Sequence, residues 1–394
     1  MLTYPVEFIF LTLMTLILYW SVAPSMPQLR QYVLIVMSFI TVCIISAPAA
    51  TTILCISIGV WLYHRLLPRL PHIFFLFATI ALLIVGLIIA RMMEPHYTYR
   101  PSGTREFGVL WIGLSYVALK SIMVLVDSWL ARANLTPLRL SDVTLLNLFF
   151  PITAAGPIER LKNLTQERLA VHFRSEEFFA GLLRFVLGLF KIGFVAGTLL
   201  KAIIDNSFAG IYTSEADFTL AATYLFLAVN FVHLYFNFSG YIDLALGIGQ
   251  MLGLKLSENF NAPFRASNIQ DFWLRWHMTL RDFVHDYVFF PLAKFTRGRV
   301  ELSLIIAFTL IGLWHELTWN YLLWGFAQGA GLVAYMRWAR TTKGKAWHKR
   351  WKKNPLYIAV SWLITMTYLG WTVAITTAPN VSATSTFTAR LFGL

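Results

Sequence analysis

Long apolar runs, separated by short polar segments, dominate the chain. A helix needs about 20 mostly apolar residues to cross the hydrocarbon core of a bilayer. By this measure the apolar runs lie near residues 4–22, 32–48, 50–63, 72–91, 107–130, 143–157, 178–204, 218–253, 302–319, 321–336 and 356–377. Such segments form helices, because lipid offers the backbone no hydrogen-bond partner. The pattern predicts an all-α polytopic membrane protein with about 10–11 transmembrane helices, organised as one membrane domain over residues 1–394.

Two places interrupt this pattern. The runs 32–48 and 50–63 are short, and Ala47-Pro48-Ala49-Ala50 separates them. Proline disfavours a continuous helix, so we expect a tilted pair or a hairpin there. The run 218–253 is too long for one ordinary span, and it contains Asn230, His233, Asn237, Ser239, Gly240 and Asp243. Irregular backbone at membrane depth is tolerated where protein or water lines it, so we predict a broken or re-entrant region.

The segment 270–291 has a helical period but carries too many charges for a span. Its charged residues are Asp271, Arg275, Arg281, Asp282 and Asp286. Helical spacing places on one face Trp273, Trp276, His277, Leu280, Val284 and Tyr287. The pattern predicts an amphipathic helix at the membrane interface, with its charges turned away from the apolar side.

Composition agrees with a membrane protein and adds an orientation. Hydrophobic residues make up 58% of the chain and charged residues 13%, while the net charge is +13. The basic residues lie in short loops between apolar runs, which favours contact with anionic lipid and does not suggest a nucleic-acid partner. The loop from Arg337 to Lys353 contains eight basic residues and no acidic one. It is therefore predicted to lie on the cytoplasmic side.

Histidines in apolar surroundings are the first candidates for chemistry. His315 lies near the end of a long apolar run, between Trp314 and Glu316. An ionisable residue at membrane depth is costly and usually functional, and imidazole suits general-base work near neutral pH. His277 lies on the apolar face of the predicted interfacial helix. Each histidine could instead be a hydrogen-bonded structural residue, and both interpretations stay open at this point.

No metal site is predicted. His315-Glu316 resembles the beginning of a zinc-binding helix motif, but Trp319 occupies the position that the second histidine would need. His277 and His285 have no acidic or cysteine partner at ligand spacing.

Five ordered motifs resemble the membrane-bound O-acyltransferase family, and in particular its bacterial branch that acylates cell-envelope polymers. They lie within residues 147–329 and consist of Gly156-Pro157-Ile158, Phe238-Ser239-Gly240-Tyr241-Ile242-Asp243, Glu258-Asn259-Phe260-Asn261-Ala262-Pro263-Phe264, Asp271-Phe272-Trp273-Leu274-Arg275-Trp276-His277, and Trp314-His315 with Trp319. The resemblance implies that His315 is the principal catalytic residue and His277 a second functional histidine. It also implies a ring of tilted helices around a central tunnel.

The resemblance implies substrates and partners as well. A thioester donor, carried by the phosphopantetheine of a carrier protein or by coenzyme A, would enter from the cytoplasm, with no bound cofactor. The protein would lie in a bacterial cytoplasmic membrane. Its acceptor, a polymer hydroxyl, and an accessory protein would bind on the outer side. The residues expected to line the substrate tunnel are Trp273, Arg275, Trp276, Asn259, Asn261, Asp243, Trp314, Glu316 and Trp319.

Different motifs indicate different acyl groups for the transfer. Residues 268–280 and 317–319 look like the transferases that move D-alanine onto teichoic acids, whereas residues 238–243 look like the alginate O-acetyltransferases. Glu316 stands where glycine is usual in the family, and Gln328 where a third histidine often lies. The resemblance favours D-alanyl transfer slightly over acetyl transfer. A polytopic carrier or flippase for an envelope polymer or lipid-linked precursor, and a membrane scaffold for an extracytoplasmic partner, are the alternative interpretations.

Overall fold

The computed structural model describes residues 5–22, 26, 29–69, 72–93, 109–134, 136–166, 172–213, 218–343, 345, 350–351 and 353–394. Every regular element in these ranges is a helix. The α-helices are α1 (Pro5–Val22), α2 (Arg30–Leu66), α3 (Ile73–Met93), α4 (Val109–Leu130), α5 (Leu140–Leu148), α6 (Phe150–Thr153), α7 (Leu161–Gln166), α8 (Ser175–Leu189), α9 (Lys201–Ser207), α10 (Leu220–Met251), α11 (Ile269–Arg275), α12 (Met278–Phe283), α13 (Phe290–Phe295), α14 (Val300–His315), α15 (Trp319–Thr342), α16 (Pro355–Thr377) and α17 (Val381–Leu391). Two π-helical stretches, Phe190–Leu200 and Val284–Phe289, continue α8 into α9 and α12 into α13.

Six helices of the described residues are long and apolar enough to cross a membrane. They span Arg30–Arg69, Ile73–Ala90, Gly113–Leu130, Ser175–Ser207, Leu220–Met251 and Pro355–Thr377. Two shorter apolar helices, Val6–Val22 and Val300–His315, accompany them. The predicted class, an all-α polytopic membrane protein, is confirmed. The count of 10–11 spans and their arrangement in a ring stay predictions, as does the cytoplasmic loop, part of which lies outside the described residues.

The chain divides into two compact units. One comprises the described residues of 1–97, 106–189 and 240–258, and the other those of 190–239 and 259–394. In the first unit, α8 and the end of α10 touch backbone to backbone. A Cβ added at Gly181 would lie 2.8 Å from the carbonyl oxygen of Gly247, and one at Gly188 would lie 2.8 Å from that of Gly240. Small residues permit such close approach between membrane helices.

Of three predictions about individual helices, one is confirmed and two are wrong. The interruption between the runs 32–48 and 50–63 is confirmed, because α2 consists of two helical segments that meet at a kink, where Ser46 has the non-helical angles φ −161° and ψ 103°, two residues before Pro48. The run 143–157 forms the short, buried helices α5 and α6 in place of a span. The expected break in 218–253 is absent, because α10 is continuous over its 32 residues.

The second unit contains the tightest helix pair of the described chain, α14 against α15. Gly325 of α15 lies so close to α14 that a Cβ there would be 2.9 Å from the Cα of Thr309, and nearer still to the carbonyl oxygen of Phe308. Gly329 would meet the Cα of Ile305 at 2.8 Å. These glycines bring the end of α14 and the beginning of α15 together, which decides where His315 lies.

The predicted interfacial helix at 270–291 is divided into segments. The buried face is confirmed for its first part, since Trp273, Trp276, His277 and Leu280 are buried, whereas Val284 and Tyr287 are only half-buried. The helix itself is interrupted between α11 and α12, because His277 adopts a left-handed backbone conformation with φ 44° and ψ 53°. That conformation does not belong to a right-handed helix, so the chain turns there.

Candidate active site

A cavity of about 130 Å³ lies within the second unit, and both candidate histidines line it. Its walls come from α10, α11, α12, α15, α16 and the end of α14. The lining residues are Phe231, Leu234, Phe238, Phe272, Trp273, Trp276, His277, Leu280, His315, Tyr321, Trp324, Gln328, Leu369, Val373 and Thr376. Most of these side chains are apolar or aromatic, as is usual for small-molecule sites, and a few polar groups are set among them.

His277 lies in the turn between α11 and α12. Its side chain is 3% exposed, and its ring meets the ring of Phe238 edge-on at 4.7 Å between centroids. The neighbouring Trp276 stacks on Phe272 at 5.3 Å. The aromatic packing fixes the imidazole on the cavity wall, since edge-to-face and stacked pairs have preferred geometries.

His315 is the last residue of α14. Its ring lies 4.6 Å from that of Trp314 and meets Trp324 of α15 edge-on at 5.4 Å. Tyr321, one turn before Trp324, lies 6.0 Å away on the same side. The contact between α14 and α15 therefore places His315 at the cavity, and aromatic rings pack against its imidazole on two sides.

A chain of hydrogen bonds crosses the cavity wall through Gln328. The indole nitrogen of Trp273 donates to Oε1 of Gln328 at 3.2 Å, and Nε2 of Gln328 donates to Oγ1 of Thr372 at 2.7 Å. The hydroxyl of Thr372 donates in turn to the carbonyl oxygen of Leu369 at 2.7 Å. Each donor in this buried chain has its acceptor, so the network orders the wall instead of destabilising it.

Of the residues expected to line the tunnel, two tryptophans, Trp273 and Trp276, line the cavity beside the histidines. Trp314 and Glu316 flank His315 without lining the cavity, and the Glu316 side chain is 3% exposed. Trp319 is 73% exposed and lies outside the cavity.

The remaining expected residues form contacts elsewhere. Asp243 belongs to the first unit, where it accepts from Arg184 at 3.0 Å. Asn261 and Arg275 hydrogen-bond to each other on the chain before His277. Asn259 accepts hydrogen bonds from Met278 and Thr279, which follow His277.

Several lining residues were missed at the level of sequence. Phe231 and Leu234 lie before the motif that begins at Phe238, and Leu369, Val373 and Thr376 lie in an ordinary apolar span. Gln328 carried a usable signal, because an amide in the interior of a membrane helix needs buried partners.

The described residues contain no group of three or more His, Cys, Asp or Glu side chains arranged to hold a metal ion. The cavity itself offers two imidazoles, together with the indole, phenol and amide groups around them. Such an arrangement suits proton transfer and hydrogen bonding to a reacting carbonyl.

Comparison with known proteins gives the family. The membrane-bound O-acyltransferase family matches residues 2–375. Among curated proteins, the chain is 32% identical over 259 residues to a probable alginate O-acetylase AlgI of Pseudomonas syringae, which covers 65% of this chain and 49% of that protein. It is 28% identical over 334 residues to a peptidoglycan O-acetyltransferase of Helicobacter pylori, covering 73% of this chain and 60% of that protein.

A third relative is named for the transfer of a different acyl group. The chain is 29% identical over 258 residues to the teichoic acid D-alanyltransferase of Bacillus subtilis, covering 63% of this chain and 62% of that protein. The aligned part spans about half of the alginate O-acetylase and about three-fifths of the other two proteins. The family match itself extends over nearly the whole chain, and on this basis the chain belongs to the membrane-bound O-acyltransferase family.

Proposed function

We propose that this protein transfers a short acyl group from a thioester donor to a hydroxyl group of a cell-envelope polymer. The observation that carries the proposal is that His277 and His315 line one largely apolar cavity. The proposal includes a place in the cytoplasmic membrane of a bacterium, a donor on the cytoplasmic side, and a polymer acceptor on the outer side. All three curated relatives named above are bacterial proteins.

The proposed reaction uses the two imidazoles as follows. The oxygen of the acceptor hydroxyl attacks the thioester carbonyl carbon, and His315 takes the proton of that hydroxyl. The carbon–oxygen bond forms, the carbon–sulfur bond breaks, and the proton passes to the departing thiolate. We assign to His277 the stabilisation of the negative charge that develops on the carbonyl oxygen. The apolar wall limits water, which favours acyl transfer over hydrolysis.

The volume of the cavity favours a short acyl group. A cavity of about 150 Å³ holds a molecule the size of benzene, and this one is about 130 Å³. An acetyl or alanyl group fits such a space.

The charge of the lining favours acetyl over D-alanyl. No carboxylate belongs to the described residues that line the cavity, and burying the ammonium of a D-alanyl group without an anionic partner is costly. We therefore place acetyl transfer first, although the motifs favour D-alanyl slightly. D-alanyl transfer is the second candidate because of Glu316, a buried carboxylate next to His315 in the chain.

The test is mass spectrometry of base-labile acyl groups released from purified envelope polymer. Cells with the wild-type protein are compared with cells carrying His315→Ala or His277→Ala. The matched control is His285→Ala, because His285 is 54% exposed in its side chain and lies outside the cavity.

Loss of released acetate in both cavity variants, but not in the control, is the expected result. Loss of released D-alanine in place of acetate would support acyltransferase activity, but it would show that the transferred group is D-alanyl. Unchanged acylation in His315→Ala at normal protein abundance would overturn the proposal and favour a carrier for the polymer.

A further inference from the structure

We infer that Asn259 is a positioning residue for the reaction, because it holds the turn that carries His277. This inference rests on the proposed function. Asn259 was expected in the substrate tunnel, but it does not line the cavity. Its side chain is fully buried behind the turn between α11 and α12.

Three hydrogen bonds join Asn259 to the residues that follow His277. The side-chain Oδ1 accepts from the backbone nitrogen of Thr279 at 3.0 Å and from its Oγ1 at 2.7 Å. The backbone carbonyl oxygen of Asn259 accepts from the nitrogen of Met278 at 3.0 Å. The side-chain amide of Asn259 thereby fixes Thr279, and the backbone carbonyl of the same residue fixes Met278.

A second set of contacts fixes the residues that enter the turn. The backbone nitrogen of Asn261 donates to the carbonyl oxygen of Arg275 at 2.9 Å. The guanidinium of Arg275 donates back to the carbonyl oxygen of Asn261 at 3.3 Å and binds Asp271 at 2.9 Å. The segment 259–261 is therefore paired with the chain on both sides of His277.

The turn needs such support because of its backbone conformation. His277 has φ 44°, in the left-handed region that residues other than glycine rarely adopt. A residue held in this region persists where the surrounding structure fixes it, and such residues cluster at active sites. With the segment 259–261 removed from the turn, His277 would relax towards an ordinary backbone conformation. Its imidazole would then leave the cavity wall.

The expected effect follows from the sensitivity of catalysis to geometry. A displacement of about 1 Å in a reacting group can cost about 100-fold in rate. Asn259→Ala removes both side-chain hydrogen bonds to Thr279 and should lower kcat by about 10- to 100-fold. The KM for the donor should change little, because the cavity walls made by α10, α15 and α16 are not altered.

The experiment uses the full-length protein in liposomes with a thioester of coenzyme A as the donor probe. The acyl group is the one released in the envelope assay, and oligosaccharides cut from the same polymer are the acceptor. Asn259→Ala is compared with Thr279→Val, which loses the hydroxyl bond but keeps the shape, and with Thr279→Ser, which keeps the hydroxyl.

Ser303→Ala is the matched control for general loss of stability. Ser303 is fully buried in α14 and its hydroxyl binds Thr296 at 2.8 Å. It lies twelve positions before His315, about 18 Å along the helix at 1.5 Å per residue. This variant should melt at a lower temperature than the wild type while its kcat stays near the wild-type value.

A fall in kcat for Asn259→Ala and Thr279→Val, with activity retained in Thr279→Ser, supports the inference. Wild-type kcat in Asn259→Ala would overturn it, and so would a loss of activity that only follows the melting temperature. If Asn259→Ala does not fold, wild-type kcat in Thr279→Val overturns it instead. Activity in His277→Ala and His315→Ala would refute the proposed function, whereas activity in Asn259→Ala alone refutes only the positioning role.

Discussion

The close contact between α14 and α15 provides the most direct test of how the site is built. In Gly325→Ala the new methyl group would lie 2.9 Å from the Cα of Thr309 and 3.1 Å from the carbonyl carbon of Phe308. Carbon atoms in contact are ordinarily about 3.5–4.0 Å apart. The two helices must therefore separate locally by about 0.6–1.1 Å, because the obstructing atoms are backbone atoms and no side chain can rotate away.

The separation acts directly on the site. Gly325 follows Trp324, whose ring meets His315 edge-on at 5.4 Å. Overpacking of this kind costs about 1–3 kcal/mol of stability. A shift of the histidine by nearly 1 Å should lower acyl transfer by up to about 100-fold. We expect both a lower melting temperature and a larger fall in activity than the loss of stability alone explains.

The assay is thermal unfolding of the detergent-solubilised protein, together with acyl transfer in liposomes. Gly86→Ala in α3 is the matched control, because a Cβ at Gly86 has no neighbour within 4 Å. Alanine is also a better helix former than glycine, so the control should melt no lower than the wild type. If Gly325→Ala matches the wild type in melting and in activity, the helix contact does not position His315.

Three further predictions concern side chains. Gln328→Leu leaves the indole nitrogen of Trp273 without its acceptor and should cost about 1–3 kcal/mol, seen as a lower melting temperature; unchanged melting would contradict the hydrogen-bond chain. Trp319→Ala should keep acyl transfer within about twofold of the wild type, since surface changes are usually small in effect; a tenfold loss of acyl transfer would show that this exposed residue meets a substrate. Glu301→Gln breaks the ion pairs of Glu301 with Arg337 and Arg340 and should leave the melting temperature near the wild-type value at low and high salt, because exposed ion pairs contribute little. A clear fall in melting temperature that shrinks at high salt would contradict this.

The sequence predicts the helical class and the kink in α2, but it wrongly predicts a break in α10. Asn230 and Asp243 suggested a break in the long apolar run, because unsatisfied polar groups are costly in a membrane. In the structure the amide of Asn230 donates to Thr377 at 3.1 Å, and Asp243 binds Arg184 at 3.0 Å. Lateral partners satisfy these polar groups, so α10 continues. Such partners are distant in sequence and cannot be read from a local pattern.

The candidate site was predictable in its histidines and not in its supporting residues. His277 and His315 stand out because imidazoles are rare in apolar segments, and the structure brings both to one cavity. Asn259 and Arg275 belong to the same motifs, yet they hold the backbone behind the turn. A motif marks residues that work together. It does not distinguish residues that contact a substrate from residues that position them.

The left-handed backbone at His277 limits the side chains that evolution or redesign can place at this position. Apart from glycine, the residues that adopt such a conformation most readily are asparagine, aspartate and histidine, whereas β-branched residues are strained there. The turn with φ 44° therefore restricts the side chains from which new chemistry can be selected at this position. A search for variants with altered acyl preference should begin with His277→Asn. The asparagine amide keeps a hydrogen-bond donor on the cavity wall without forcing the backbone into a new path.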